Sequence, residues 1–300
     1  MSDPQLKICI FSESFYFRMS DIIIKKSDNS CLALLILTGV LWSTGGVLVK
    51  FISLNPMAIA GTRSLLAMLV MITIVRRHDL TLSRIQIVGA ICYSANVILF
   101  VVSMRLTTAA NAILLQYTAP VYVAIGSLFI LKERVRISDW IAITIAIFGI
   151  ALFFFDRLTI QNIYGNLLSI LSGIVFAGYI VCMRLQKNTS PIGSAFIGNI
   201  LTAVICLPFM FGQLPQSKDW VALSLLGVFQ LGIPHILYSI AIKRINALKS
   251  IMIPMIEPIL NPLWVYLFLG EVPGKWAIPG GIIVISAVSM SLRNQRVLND

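Results

Sequence analysis

The amino-acid sequence predicts an all-α integral membrane protein, with ten transmembrane helices in two inverted five-helix repeats around a central cavity. Three observations lead to this prediction: an apolar composition, ten apolar stretches and an internal repeat. Of the 300 residues, 58% are hydrophobic and 12% are charged, whereas the charged share of a soluble domain is about 25%. The mean hydropathy is +0.92. This composition excludes a soluble globular fold.

The apolar residues are grouped into stretches of the length that a membrane helix needs, roughly 20 residues. The predicted stretches are 31–53, 57–75, 84–104, 109–131, 137–155, 164–183, 192–212, 220–241, 247–269 and 274–292. No loop between them exceeds about ten residues, and no Walker motif is present. The short loops leave no room for a nucleotide-binding domain, so the sequence implies no ATPase subunit.

The basic residues predict the orientation of the chain. The formal net charge is +11, which in a soluble chain would suggest nucleic-acid binding. Here 17 of the 23 Lys and Arg residues fall on the termini and alternate loops of one side, and five fall on the other side. By the positive-inside rule, both termini are expected in the cytoplasm and the protein in the inner membrane, without a nucleic-acid partner.

The two ends of the chain are predicted to lie outside the helical bundle. Residues 1–30 form a polar N-terminal arm that we expect to be disordered, and residues 293–300 form a cytoplasmic tail. The arm has no small-residue cleavage site, so we do not expect a removable signal peptide.

An internal repeat divides the membrane region into 31–156 and 157–292. When Pro120 is aligned with Pro258, Glu133 falls on Glu271, thirteen residues further on in both copies. The same comparison pairs Gly39 with Gly173, Trp42 with Phe176, Lys50 with Arg184, Arg105 with Lys243 and Ala109 with Ala247. Because each copy holds five segments, an odd number, the second copy would be inserted upside down, as in many secondary transporters.

Several motifs resemble those of EamA-type drug/metabolite transporters. They are QYTAP with a downstream LKER in the fourth segment, Glu257-Pro258 with a downstream LGE in the ninth, and Arg63 early in the second. The resemblance covers residues 31–292 and implies two EamA repeats, a central cavity and alternating access, usually for amino acids or other small metabolites and often outward. Pro254, Pro262 and His235 depart from the family pattern.

The ninth segment carries the leading candidate site. Glu257 is the one acidic residue deep in an apolar segment, and Asn261 and Trp264 follow at helical spacing. An acid at bilayer depth is unfavourable by about 3 kcal/mol or more, which favours a functional role. Glu257 could bind a substrate amine or carry a coupling proton. Alternatively, it could stay protonated and donate to a backbone carbonyl.

Prolines predict breaks in the helices because they lack the N–H that continues the hydrogen-bond ladder. Pro254, Pro258 and Pro262 recur at every fourth residue of the ninth segment. Pro120 in the fourth segment and Pro234 in the eighth are predicted to act in the same way. These positions are candidate hinges.

Other polar and aromatic residues near segment centres are candidate substrate contacts: Trp42, Tyr93, Asn96, Gln116, Tyr117, His235 and Tyr238. The alternatives are interhelical hydrogen bonds for the amides and plain packing for the aromatic rings. His235 is a second coupling candidate, or a histidine with its hydrogen bonds satisfied. Arg63 is either structural or pairs with an anion, on a substrate or on Glu257.

The motifs of other classes of protein are missing from the sequence. The five cysteines show no metal-ligand spacing, so we expect no metal or cofactor. Glu133 and Glu271 close the fourth and ninth segments and are expected to anchor helix ends. The leading hypothesis is a secondary transporter for an amino acid or related small polar metabolite, with protons as a candidate coupling ion. A passive facilitator or pore, and a membrane-embedded enzyme acting on lipid, are the alternatives, and the oligomeric state is left open.

Overall fold

A computed structural model of the protein describes residues 28–157, 162–212, 215–270, 272 and 274–296. Within these ranges the chain is helical and contains no β-strand. The α-helices are α1 (Asp28–Trp42), α2 (Gly45–Lys50), α3 (Pro56–Ile72), α4 (Arg84–Leu106), α5 (Ala109–Gln116), α6 (Ala119–Gly126), α7 (Ile137–Phe153), α8 (Ile163–Leu185), α9 (Ile192–Met210), α10 (Ser217–Leu225), α11 (Ile233–Ala241), α12 (Ala247–Met252), α13 (Glu257–Leu269) and α14 (Ala277–Arg296).

Seven helical stretches of the described chain are long and apolar enough to cross a bilayer: Asp28–Val49, Arg84–Leu106, Ala110–Leu131, Ile163–Leu185, Ile192–Met210, Asp219–Ala241 and Ala247–Phe268. Three shorter apolar helices are Pro56–Ile72, Ile137–Phe153 and Ala277–Leu292. Large hydrophobic side chains such as Phe129, Ile137 and Phe268 are exposed on the outer surface, as expected where lipid surrounds the bundle. The structure therefore confirms the predicted all-α, multi-pass membrane class.

Four of the apolar stretches are interrupted near their middle. The first breaks at Ser43 and Thr44, between α1 and α2, and the fourth breaks between α5 and α6, just before Pro120. The eighth contains a π-helical turn at Leu226–Gly232, and the ninth a 3-10 turn at Ile253–Ile256. Breaks at this depth are tolerated where protein or a cavity satisfies the freed backbone groups.

The proline candidates lie in or beside three of these breaks. Pro120 is the second residue of α6, Pro234 follows the π turn, and Pro254 lies within the 3-10 turn. Pro258 occupies the first turn of α13, where its missing N–H removes no helical hydrogen bond. Pro262 differs, because it lies inside α13 and the helix continues past it.

The interhelical contacts repeat between the two halves. Helix α4 of the first half packs on α8 of the second, and in the same way the α10–α11 stretch of the second half packs on α1 of the first. Helices α5 and α6 contact α8, and correspondingly the ninth stretch contacts α1 and α2. α9 packs on α4 as α3 packs on the π turn. The remaining large contacts join equivalent helices, α3 with α9 and α7 with α14. Each of these large contacts thus has a counterpart when the two halves are exchanged.

Two glycines lie at equivalent close contacts in the two halves. A Cβ atom at Gly39 would lie 3.0 Å from the Cα of Pro254, and one at Gly173 would lie 2.9 Å from the carbonyl oxygen of Gln116. The sequence alignment pairs Gly39 with Gly173 and Gln116 with Pro254, so both copies make the same contact in the same register. Each glycine lets its helix approach the backbone of a broken stretch.

Parts of the predicted organisation lie outside the described residues. These are residues 1–27 of the predicted arm, Glu271, the segment 158–161 beside the predicted boundary at 156 and 157, and residues 297–300 of the predicted tail. Helix α14 extends to Arg296, so residues 293–296 of the predicted tail belong to a helix. Helix ends are set by local capping, which hydropathy does not report.

We expect Gly173→Ala to lower the thermal stability of the detergent-solubilised protein. The new methyl group would collide with the backbone carbonyl of Gln116, and overpacking of this kind is unfavourable by about 1–3 kcal/mol. Gly212→Ala is the matched control, because its Cβ would be 3.8 Å from the nearest atom, the carbonyl oxygen of Phe209. Size-exclusion chromatography after heating measures both variants. Equal melting temperatures for the two would contradict the packing role.

Candidate functional site

The interrupted stretches surround a cavity at the centre of the bundle. Its inner part has a volume of about 110 Å³. The inner lining combines charged, amide and aromatic side chains, among them Arg63, Glu257, Asn96, Gln116, Gln230, Trp42, Tyr93, Tyr117, Phe176, His235 and Tyr238. Ligand sites in helical transporters occur at this depth, between discontinuous helices.

An outer part of about 280 Å³ continues from the inner one. The two parts share Trp42, Arg63, Phe100, Gln116, Tyr117, Gln230 and Glu257. The outer lining then follows α2 to Val49, α4 to Met104 and the end of α7 to Asp156. It also includes Gly274 and Ala277 at the start of α14. The cavity therefore extends to the face that carries loops 51–55, 107–108 and 274–276, which we name the cavity face.

Glu257 points into this cavity from the first turn of α13. It lines both the inner and the outer part, and the hydroxyl of Tyr117 donates to its Oε2 at 2.7 Å. The preceding 3-10 turn ends the α12 ladder, so Glu257 begins a new helix whose N-terminal dipole favours a negative charge. The sequence predicted Glu257 and Tyr117 separately as site residues, and the structure brings them into contact.

Arg63 lies on the cavity wall and is buried, with 9% of its surface exposed. Its Nη1 donates to Oε1 of Gln230 at 3.4 Å, while its Nε has no hydrogen-bond partner in the protein. Within the described chain no ion pair of 4.0 Å or less joins Arg63 to Glu257 or another acid. Of the possibilities raised by the sequence, direct pairing with Glu257 is thus not observed.

Gln230 is a cavity residue that the sequence analysis missed. It occupies the π turn of the eighth stretch and lines both parts of the cavity. The sequence does carry a signal for Gln230, because its amide lies within an apolar segment. Asn96 and Gln116 were chosen as candidates by the same criterion.

Asn96 and Gln116 line the inner cavity and also bond to each other. Nε2 of Gln116 donates to Oδ1 of Asn96 at 2.9 Å and contacts the Ser172 hydroxyl at 3.1 Å. The two interpretations offered from the sequence, cavity lining and interhelical hydrogen bonding, thus apply together. The network joins α4, α5 and α8 at the depth of Glu257.

Aromatic rings form the inner wall. Trp42 stacks on Tyr238 with ring centroids 5.7 Å apart and meets Phe176, its counterpart in the alignment, at 6.2 Å. Nδ1 of His235 donates to the Leu231 carbonyl at 2.8 Å, so one ring nitrogen is occupied within its own stretch. The Tyr238 hydroxyl is buried and has no hydrogen-bond partner in the protein.

Tyr93 has a largely structural setting despite its place in the inner lining. It is 1% exposed, and its hydroxyl donates to Oδ1 of Asn199 on α9 at 3.1 Å. Its ring meets the His235 ring with centroids 5.0 Å apart. It therefore supports the wall more than it presents a free polar group.

The two remaining candidates on α13 have different positions. Asn261 lines the outer cavity beside Gly46, where a Cβ would overlap the Asn261 amide. Trp264 does not line either part, and its Nε1 donates to the Ser43 hydroxyl at 2.8 Å. Trp264 therefore supports the break in the first stretch.

The opposite face carries loops 132–136, 186–191 and 242–246, and we name it the basic face. An ion pair between Arg184 and Glu133 links parts of this face. Nε of Arg184 lies 2.5 Å from Oε1 of Glu133, and its Nη1 donates to the carbonyls of Ile242 and Lys243 at 2.7 and 2.9 Å. The N–H of Ala247 donates to the other Glu133 oxygen at 3.0 Å. Burial lowers the pKa of the nearby Lys243 ammonium, and the Asp79 carboxylate opposes this shift.

The described residues contain no group of three or more His, Cys, Asp or Glu side chains that could hold a metal ion. The described cysteines, Cys31, Cys92, Cys182 and Cys206, are free. The polar groups of the cavity suit a small polar solute.

Comparisons with known proteins agree with this architecture. The model of the EamA-like transporter family matches residues 29–155 and again residues 163–293. An uncharacterized transporter of Archaeoglobus fulgidus is 26% identical over 270 residues, which cover 87% of this chain and 96% of that relative. The uncharacterized transporter YwfM of Bacillus subtilis is 25% identical over 215 residues, covering 66% of this chain and 72% of the relative.

A solved crystal structure illustrates the shared fold. It has a TM-score of 0.78 at 17% identity and covers 88% of this chain and 97% of its own. The two matches of the family model confirm the resemblance that the motifs predicted and the presence of two repeats.

The geometry predicts that the cavity can be reached from the cavity face. We expect Val49→Cys and Met104→Cys to react with a membrane-impermeant maleimide added on one side of the membrane, and both on the same side. Val123→Cys is the control, because this position is 0% exposed. The unmodified protein sets the baseline, since the chain contains five cysteines. Labelling of Val123→Cys as fast as the other two would contradict the assignment.

Proposed function

The chain belongs to the EamA-like transporter family, and from this premise we propose that it moves an amino acid or a related small polar metabolite across the inner membrane by alternating access. We propose outward movement. The family and the names of the relatives point to a transporter and not to an enzyme.

One observation carries the proposal: Glu257, Arg63 and Gln230 line a common cavity at the depth of the helix breaks. Charged and amide side chains are unfavourable inside a membrane unless they serve a partner or a polar path. The polar residues of this cavity come from both repeats, which is the arrangement expected when a solute binds at the interface between them.

We further propose ten membrane helices in two inverted repeats, with both termini in the cytoplasm. The contact pattern that is preserved when the halves are exchanged supports the repeat. Five apolar helical stretches in each half would place the halves upside down relative to each other. The positive-inside bias then assigns the basic face to the cytoplasm.

Alternating access requires one face to close while the other opens. The cavity reaches the cavity face, while Glu133, Arg184 and the segment 242–247 are bonded together on the basic face. We propose that this network closes the cytoplasmic side in the outward-open form and separates when that side opens. Separating a buried ion pair without new partners for its charges is strongly unfavourable. Such a pair therefore favours two distinct states, one with the face closed and one with it open, over intermediate arrangements.

A proton-coupled transporter and a passive facilitator differ in their need for a gradient. Purified protein in liposomes, loaded with radiolabelled amino acids, gives the transport rate with and without an imposed proton gradient. Accumulation against a concentration gradient that an uncoupler abolishes supports the coupled transporter. Equilibration of the amino acid at the same rate with and without the uncoupler supports the facilitator.

We expect Glu257→Gln to remove either the proton dependence or substrate binding. The glutamine amide has the size of the glutamate side chain and can still accept the hydrogen bond of the Tyr117 hydroxyl. It carries no negative charge, however, and cannot bind or release a proton. The measurement is flux in liposomes as a function of pH. Tyr266→Phe, on the exposed side of the same helix, is the control and should transport normally. Wild-type flux with an unchanged pH profile in Glu257→Gln would contradict the role.

We expect Arg184→Gln to weaken the closure of the basic face. The variant loses the ion pair with Glu133 and leaves that acid with the Ala247 N–H as its remaining partner. Ile251→Cys, at an inner-cavity position, should then become reactive from the cytoplasmic side. Arg244→Gln, on the same face, serves as the charge-matched comparison. Identical Ile251→Cys labelling in both backgrounds would contradict a closing role for Arg184.

A further inference from the structure

The loop 132–136 on the basic face presents two different sides, and we name it the basic loop. Glu133 faces the bundle, where its carboxylate pairs with Arg184, and Val135 packs against the hydrophobic core. The side chains at the alternate positions are basic and exposed: Lys132, Arg134 and Arg136. Alternation of this kind is typical of an extended segment, in which every second side chain points the same way. Three basic groups are therefore displayed on the outer side of one loop.

The charges of the basic loop are not neutralised by the protein. Within the described chain, no ion pair of 4.0 Å or less involves any of its three basic side chains. The acids nearest in sequence have other partners. Glu133 is held by Arg184 and by the backbone N–H of Ala247. Asp139 accepts a hydrogen bond from the backbone N–H of Arg136 at 2.9 Å. Three positive charges are therefore available to an anionic partner.

The second repeat indicates that the fold does not require these charges. The alignment of Pro120 with Pro258 places the basic loop opposite residues 270–274. The acid is retained, because Glu133 falls on Glu271, but the three alternate positions carry glycine, valine and glycine. The positive-inside rule concerns how many basic residues a face carries and does not fix their positions. Neither helix packing nor topology thus explains why all three outward positions of one loop are basic.

The backbone of Lys132 has an unusual conformation for a lysine. Lys132 follows the π turn Ser127–Leu131 and is left-handed, with a φ of 55°. Gly270, at the equivalent position of the second repeat, is also left-handed, with a φ of 71°. This conformation suits glycine and is unfavourable for a residue with a Cβ, so the first repeat carries lysine where the backbone favours glycine. Unfavourable backbone conformations of this kind are concentrated at functional sites.

Apolar side chains beside the basic loop are exposed on the outer surface of the bundle. Phe129 in the π turn is 78% exposed, and Ile137 at the start of α7 is 81% exposed. The apolar stretch Ala110–Leu131 ends directly before Lys132, so the basic groups lie where the hydrocarbon gives way to the phosphate layer. Basic side chains at this level are attracted to anionic lipid headgroups.

We propose that the basic loop is a binding site for the headgroup of an anionic phospholipid. The arginine side chains match phosphate oxygens with paired donors, and the lysine adds a third positive charge. Phe129 and Ile137 contact the acyl chains of the same lipid. The loop lines neither part of the central cavity, so this site is separate from the proposed transport function and goes beyond it.

Lipid binding to the purified, detergent-solubilised protein tests the proposal directly. Native mass spectrometry should detect bound phosphatidylglycerol, and this lipid should raise the melting temperature. Two probes should have a much weaker effect at equal concentration: phosphatidylcholine with the same chains, which has no net charge, and glycerol phosphate, which has no chains. Equal binding of phosphatidylcholine would overturn the role of the basic groups. An equal effect of glycerol phosphate would overturn the assignment to a lipid.

Charge removal tests whether the lipid binds at this loop. The test variant replaces the three basic residues together: Lys132→Gln, Arg134→Gln and Arg136→Gln. It should weaken phosphatidylglycerol binding about a hundredfold, because each basic residue near an anionic lipid contributes about fivefold. The control variant replaces three other exposed basic residues on the same face: Arg77→Gln, Arg84→Gln and Lys187→Gln. An equal loss in both variants would indicate a general attraction of the face to anionic lipid and would overturn the site.

Lys132→Gly provides a test that does not depend on the folding of the triple variant. Glycine removes one charge and relieves the left-handed backbone. The lipid-free protein should therefore have a higher melting temperature, while phosphatidylglycerol binding falls about fivefold. Unchanged affinity for phosphatidylglycerol, whatever the melting temperature, would indicate a purely structural lysine and overturn the site.

Discussion

The contact of Gly39 with the Pro254 backbone, together with its counterpart between Gly173 and Gln116, is the constraint on which the centre of the bundle depends. Gly173 lies in the unbroken helix α8 and Gly39 in α1, three residues before α1 ends at the first break, and each contacts a stretch whose hydrogen-bond ladder is interrupted. A Cβ at either position would come within 2.9–3.0 Å of backbone atoms, so a larger residue would have to displace the neighbouring stretch in both copies. The contacts hold the two broken stretches in equivalent positions and thereby fix where their polar groups point.

The cavity follows from this arrangement. A helix break in a bilayer leaves backbone groups that must be satisfied by protein or by water in a cavity. The breaks lie at one depth, so their side chains converge: Glu257 comes from the first turn after one break, Tyr117 from the break before Pro120, and Gln230 from the π turn. Glu257 therefore lies at the depth where the backbone groups freed by the breaks already require a polar environment.

The sequence predicted the class of fold and most of the lining, because hydropathy and isolated polar residues report membrane depth directly. It predicted the break in the ninth stretch from its prolines, but the break in the first stretch has no proline. There Ser43 and Thr44 donate their hydroxyls to the carbonyls of Val40 and Leu41 at 2.6 and 2.7 Å, and such local bonds compete with the helix without a strong sequence signal. The pairing of Tyr117 with Glu257 spans 140 positions and depends on tertiary contacts that no local pattern encodes.

The repeat symmetry that governs the helices extends to the charges only in part. The alignment places Lys50 opposite Arg184, and a lysine has no rigid fork with which to bridge a carboxylate and two carbonyls in the way that Arg184 does. Similarly, Arg63 and Glu257 have no charged equivalents, since Ala119 occupies the position that aligns with Glu257. The two halves therefore share the arrangement of their helices but contribute different charged side chains to the cavity and the basic face. The framework is nearly symmetric, whereas the unsymmetric set of charges gives the cavity one defined polarity.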